Sequence, residues 1–273
     1  MANNTGIEWA DLTINPIVGC SKCSPGCDRC YAERWAKRMT VFPATKKAYS
    51  QVMESGRWNG QTYFDPTCFG KLPQKPARIF VGSMGDVFHE TVSQMQIDAL
   101  FNMMSKWPQH TFMLLTKRAQ RMRDMVMDLW NRTNKSQPWV LPNVWLGITA
   151  ENQDMLERRW NFLATVRAPV RFISMEPLLS EIDASGCLDL MDIDDSNDET
   201  KAVWARRNVG HLFDMPEWII VGGETGDGHR ALNPYWARTI RDQCKAAKVS
   251  FFMKQMSGRK PIPNDLMVRE VPK

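Results

Sequence analysis

The sequence predicts an α/β fold, a partial (βα) barrel whose parallel strands carry their helices outside. Three observations lead there. Short apolar runs recur along the chain, amphipathic helical stretches separate most of them, and the runs are apolar throughout, as strands covered on both faces require. At 273 residues, 43% of them hydrophobic and 24% charged, the chain suffices for one such barrel. No Ser/Gly/Pro-rich linker divides it, so residues 1–273 read as a single domain.

A strand near residues 13–18 precedes a cysteine loop at residues 19–31. Apolar runs at 78–82, 111–115, 144–148, 170–173, 218–221 and 250–253 complete a set of seven. Helical periodicity covers residues near 92–107, 117–130, 151–166 and 234–247, where Met103, Met104, Met122, Met125 and Leu129 fall at core intervals. The last helix opens Asn233-Pro234, an N-cap followed by proline at a position whose N–H has no partner anyway. From about 180 to 215 the rhythm breaks. Residues 181–199 carry eight acids and no Lys or Arg, the composition of a mobile surface insertion.

Cys20, Cys23, Cys27 and Cys30 fall within eleven residues. The chain opens without a basic segment leading into an apolar one, and no run is long enough to cross a bilayer. The expected compartment is the cytoplasm, where thiols stay reduced and disulfides are not expected. Four thiolates make an ordinary zinc set, but zinc sites usually join Cys-x-x-Cys pairs from separated stretches. Here only Ser24-Pro25-Gly26 lies between the pairs, and such single-loop spacing is commoner in iron–sulfur proteins. A [4Fe-4S] cluster held by four thiolates is coordinatively full, whereas three leave one iron open to a cofactor or substrate.

Cys23-x3-Cys27-x2-Cys30 resembles the signature of radical S-adenosylmethionine enzymes. The resemblance implies that family's partial barrel, a [4Fe-4S] cluster on three cysteines, and S-adenosylmethionine bound to the open iron. It also implies an external electron donor and a deoxyadenosyl radical that abstracts hydrogen from a substrate. The family usually has an aromatic residue just before the third cysteine, where this chain has Arg29; its Cys27-x-x-Cys30-Tyr31 is similar to spore photoproduct lyase. The surrounding Gly6-Ile7-Glu8-Trp9, Asn15-Pro16, Gly19-Cys20 and Ser24-Pro25-Gly26-Cys27 are similar to an uncharacterised family of phage-encoded proteins, which implies a host cytoplasm. Members of that family often lack a cysteine at the position of Cys23. Cys20 and Cys23 therefore both stand as the third ligand.

In parallel barrels the βα loops converge on one mouth, and the residues after each predicted strand are polar. They include Ser83 and Asp86, Thr116 with Lys117 and Arg118, Thr149 with Glu151 and Asn152, then Glu176, Glu224, and Lys254 with Gln255. Gly82-Ser83-Met84-Gly85-Asp86 stands where the resembled family places a turn that meets the methionyl amino group. Small residues admit a ligand closely, and Asp86 suits an ammonium. Thr116 can cap the next helix, while Lys117 and Arg118, cations at a helix start, ask for an anion nearby. Glu176 is placed for a ribose hydroxyl or the substrate. Ser83, Asp86, Thr116, Lys117, Thr149, Glu151 and Glu176 are thus the expected S-adenosylmethionine contacts, and no catalytic residue is legible. Gly222-Gly223-Glu224 spells the family's triplet but follows a late strand, so its role is not carried over.

Net charge is +5 and unevenly spread. Between residues 229 and 260, Arg230, Arg238, Arg241, Lys245, Lys248, Lys254, Arg259 and Lys260 stand against the single acid Asp242, and Arg118, Arg121 and Arg123 form a second patch. The distribution suits a nucleic-acid or nucleotide substrate, as it suits a solvated helix face. Trp9, Trp58 and Trp145 can stack a base or pack a core, and His89 can move a proton or serve as a hydrogen-bonded structural residue. Cys68, Cys187 and Cys244 stand alone, Cys244 on the inner face of the last helix. The expected function is a radical S-adenosylmethionine-type enzyme. The alternative is a non-catalytic iron–sulfur or zinc-stabilised protein that binds nucleic acid through its basic face.

Overall fold

Seven strands run parallel, in chain order, in the computed structural model, which describes residues 3–4, 6–133, 141–188 and 215–272. They are β1 (Leu12–Ile14), β2 (Arg78–Val81), β3 (Thr111–Thr116), β4 (Val144–Thr149), β5 (Arg171–Met175), β6 (Trp218–Gly222) and β7 (Ser250–Gln255). The intervening helices are α1 (Tyr31–Met39), α2 (Pro43–Val52), α3 (Gln94–Ser105), α4 (Ala119–Thr133), α5 (Gln153–Leu163), the single turn α6 (Ser185–Leu188) and α7 (Pro234–Ala247). The sheet curls into a half-barrel with helices around it, as the sequence predicts.

The curl is visible in one side chain. Trp9, just before β1, packs its ring against Phe80 of β2 at 4.8 Å, Phe172 of β5 at 6.4 Å and Trp218 of β6 at 6.2 Å. A flat sheet would hold those strands too far apart for one indole to touch them all. Trp145 and Phe252 join on Trp218, and this aromatic plug fills the lower lumen. Trp9 and Trp145 are therefore core side chains at the closed end, not base-stacking residues. The alternate residues of the strands, Ile79, Phe112, Ile173, Ile219 and Phe251 among them, face the helices in the larger core.

Local chemistry sets the helix starts. Ser93 and Gln96 form a reciprocal capping box on α3, Asn152 caps α5 through Met155 N–H at 2.9 Å, and Asn233 caps α7 as expected. Asn152 thus belongs to a helix rather than to a ligand. The predicted strand at 13–18 divides in two, because Pro16 has no N–H to donate: β1 ends at Ile14, and Ile17–Val18 pairs instead with Tyr63–Phe64. The excursion between α1 and β2, with α2 and the short hairpin Met53–Glu54/Arg57–Trp58, has its own small core of Val18, Ala36, Tyr49 and Val52. Of the acidic insertion, the first residues are no mobile surface. Ile182, Ala184, Cys187 and Leu188 are buried, while residues 189–214 lie outside the described residues. No described helix is long and apolar enough to cross a membrane.

Candidate active site

The cysteine loop leaves the C-terminal end of β1 and lies across the ends of the neighbouring strands, which hold it at four places. After β2, Gly85 meets the loop's first limb so closely that a Cβ there would stand 2.8 Å from Gly19 O and 2.9 Å from Ile17 O. Tyr31, at the loop's other end, donates to Ser83 O at 2.8 Å. After β3, Arg118 donates to Ser21 O at 3.2 Å and Ser21 Oγ at 2.8 Å, and its Nη1 lies 3.7 Å from Cys20 Sγ and 3.9 Å from Cys23 Sγ. After β4, buried Glu151 accepts the N–H of Gly26 at 3.1 Å. After β6, Arg230 donates to Pro25 O at 3.0 Å while paired with Glu224, which also faces Arg29.

Each clamp is itself braced. Asp86 accepts from Thr116 Oγ1 at 2.7 Å, Phe88 N–H at 2.9 Å, Lys117 N–H at 3.3 Å and Arg118 Nη1 at 3.0 Å, and Glu90 takes Arg118 Nε at 2.8 Å. These carboxylates are the anions that the cationic helix start demanded. Asp86 and Thr116 thus support Arg118, and Thr116 caps its N–H at 2.9 Å. His89, buried and held below its ordinary pKa by desolvation and by Arg118, bonds Ser21 Oγ at 2.8 Å, which makes it a structural partner of the loop. Glu151 pairs with Arg159 at 2.7 Å; burial pushes its carboxyl up, but Arg159, Lys117 and bonds from Ser24 and Gly26 bring it below the ordinary value. Thr149 contributes its carbonyl to Arg159 at 2.6 Å.

The thiols are unequal. Cys23 Sγ and Cys27 Sγ are 4.0 Å apart. Cys23's hydrogen bond draws Cys27 down to about 5 against burial, with Lys117 helping, and the same contact pushes Cys23 up. Cys20 is raised to about 12, first by burial and then by Asp86, against Arg118. Among the described residues no three His, Cys, Asp or Glu side chains stand together as an ion-binding group; Cys23 and Cys27 are the pair already in contact. The donor set is nonetheless all sulfur and lies on one loop, which is the ligand chemistry an iron–sulfur group uses.

At the end of β5, Glu176 pairs with Lys254 of β7 at 2.7 Å. Its other oxygen, Oε1, is buried without a partner among the described residues, as is Ser174 Oγ on β5 two residues earlier. Gly222 leaves room for this carboxylate, since a Cβ there would stand 2.6 Å from Oε1.

Residues 4–268 match a family described as a protein of unknown function, DUF5131. The chain belongs to the DUF5131 family. No curated protein and no solved structure matches it. The family match spans β1 through β7 and so takes in the cysteine loop and every clamp on it.

The structure brings Ser83, Lys117, Glu151 and Glu176 to the mouth and turns Asp86 and Thr116 toward Arg118. Sequence reasoning missed Arg230 and Tyr31 as holders of the loop, and Arg159 as the brace on Glu151; the loop partners of the first two lie 205 and 52 positions away, and no local pattern marks them. Half of the eight cations in the basic stretch are paired with carboxylates. Arg230 pairs with Glu224, Lys254 with Glu176, and Arg238 and Arg241 both with Asp265. In the second patch Arg118 is buried, Arg121 donates to Phe88 O and Val92 O, and Arg123 pairs with Asp124.

Proposed function

We propose that this chain is a radical S-adenosylmethionine-type enzyme whose cluster is held by Cys23, Cys27 and Cys30. The observation that carries the reading is the place of the cysteine loop: it follows β1 of a parallel half-barrel and is fixed over the mouth by Ser83, Arg118, Glu151 and Arg230. A [4Fe-4S] cluster with S-adenosylmethionine on its open iron would supply reductive cleavage of the sulfonium, with the electron taken from an external donor, and through that cleavage the abstraction of hydrogen from a substrate. The chain's own residues do the rest. Glu151 and Arg230 fix Gly26 and Pro25 between Cys23 and Cys27, so those thiolates are presented without a large ordering cost. Arg118 gives two cysteines a nearby cation, which favours added thiolate charge. Glu176 Oε1 and Ser174 Oγ await donors and acceptors from a ligand, and Lys254 holds Glu176 toward it. Contact of Cys23 with Cys27 favours Cys23 as third ligand, while Cys20 rests against Arg118 and Ser21 O.

The test is iron and sulfide analysis of anaerobically reconstituted protein, followed by S-adenosylmethionine. About four iron and four sulfide per chain, with a spectral change on adding the cofactor, is the expected result. Glu176→Gln should keep the iron and weaken the response to cofactor. Zinc alone, or a cluster indifferent to S-adenosylmethionine, would support the metal-stabilised binding protein instead.

A further inference from the structure

Beside the cysteine loop the described residues leave aromatic surface exposed. Tyr31 is 47% exposed, Trp35 50%, Val41 72% and Phe42 52%. Tyr31 and Trp35 lie four residues apart on α1, about 6 Å along its axis and on one face. Ala32 and Ala36 are the residues that α1 buries. Val41 and Phe42 form the corner into α2, which Thr45 fastens by donating to Met39 O at 2.7 Å.

Cations share α1 and α2 with these rings. Arg34, Lys37, Arg38, Lys46 and Lys47 are all exposed, and none has an ion-pair partner among the described residues. Elsewhere the chain matches most of its arginines with carboxylates; here it does not. The one acid of α1 and α2, Glu33, is half-buried and accepts Trp58 N–H at 3.1 Å. The Arg38 guanidinium already lies over the Trp35 ring, 5.2 Å from its centroid. Rings interleaved with unneutralised cations complement alternating bases and phosphates. An acidic protein would use the cations and leave the rings unexplained. A duplex hides its base faces, so stacking selects single strands.

We propose that α1 and its corner with α2 bind single-stranded nucleic acid, with bases on Trp35 and Phe42 and phosphates on Arg34, Arg38, Lys46 and Lys47. This surface borders the candidate active site, yet the inference needs only the surface and stands whether or not the loop holds a cluster.

The test is fluorescence anisotropy of short labelled single-stranded DNA, single-stranded RNA, duplex DNA and polyglutamate with the full chain, at low and physiological salt. Single strands should bind, weakening at least about tenfold between roughly 50 and 200 mM salt. Trp35→Ala and Phe42→Ala should each weaken binding about tenfold, and joint replacement of Arg38, Lys46 and Lys47 by Gln should flatten the salt dependence. Lys245→Gln with Lys248→Gln, exposed at the C-terminal end of α7, should change nothing. A preference for RNA or for DNA identifies the polymer, and either supports the inference. Should Trp35→Ala lower the melting temperature, Trp35→Phe replaces it and should retain binding. Absence of single-strand binding, tighter binding of duplex or polyglutamate, or indifference to both aromatic substitutions would overturn the inference. Iron content is read on the same samples, so failure of this surface is distinguishable from failure of the cluster.

Discussion

Glu151 accepts the backbone N–H of Gly26 at 3.1 Å, joining the end of β4 to the middle of the cysteine loop across 125 positions of chain. The same carboxylate meets Arg159 at 2.7 Å, and both side chains are buried. Removing the carboxylate strands a guanidinium, so Glu151→Ala should lose about 3–5 kcal/mol in urea denaturation. Gly26→Ala should act on the loop alone. Its new Cβ would come within 3.1 Å of the Glu151 carboxyl carbon, so it should reduce iron uptake with a smaller loss of stability.

Arg118 ties the loop to β3 with a fork. Arg118→Lys keeps a cation near Asp86 but cannot reach Ser21, Glu90 and both cysteines together. It should fold and lose the loop's protection, seen as faster limited proteolysis between Cys20 and Cys30. Arg118→Ala should also destabilise by about 3 kcal/mol, because Asp86 stays buried without its cation.

The aromatic plug is closely packed beside Gly147. A Cβ on Gly147 would stand 2.5 Å from the Phe172 ring. Gly147→Ala should therefore cost about 1–3 kcal/mol in thermal or chemical denaturation, by overpacking.

The strands were legible because each is a short apolar run, buried on both faces, that keeps its character without reference to its neighbours. Ile148, Ile173 and Val221 announce themselves locally. The cysteines were legible for the same reason, since their spacing is a local fact. The clamps were not: Arg230 reads as one more cation in a basic stretch until its carboxylate, Glu224, and its acceptor, Pro25 O, are brought together by the fold. Charge counting over residues 229–260 also left out Asp265, just outside the window, which pairs with both Arg238 and Arg241.

That last cluster gives a pH dependence. Arg238's hydrogen bonds hold the exposed Asp265 carboxyl at about 2, against slight desolvation, with Arg241 adding to the pull, below the ordinary 3.8. A folded-state value below the unfolded one means the stabilisation is present above 3.8 and is lost as pH falls from there through about 2. The difference in melting temperature between the parent chain and Asp265→Asn should therefore vanish over that window, and it should shrink with added salt.

The central claim is that Cys23, Cys27 and Cys30 present an open-iron cluster at the barrel mouth. Electron paramagnetic resonance of the reduced, reconstituted protein with and without S-adenosylmethionine tests it most directly, run on the parent chain, Cys20→Ala and Cys23→Ala. The account predicts a cluster signal that shifts with the cofactor in the parent and in Cys20→Ala, and loss of the shift in Cys23→Ala. A signal unmoved by S-adenosylmethionine in the parent, or a shift that survives Cys23→Ala and disappears in Cys20→Ala, would contradict it.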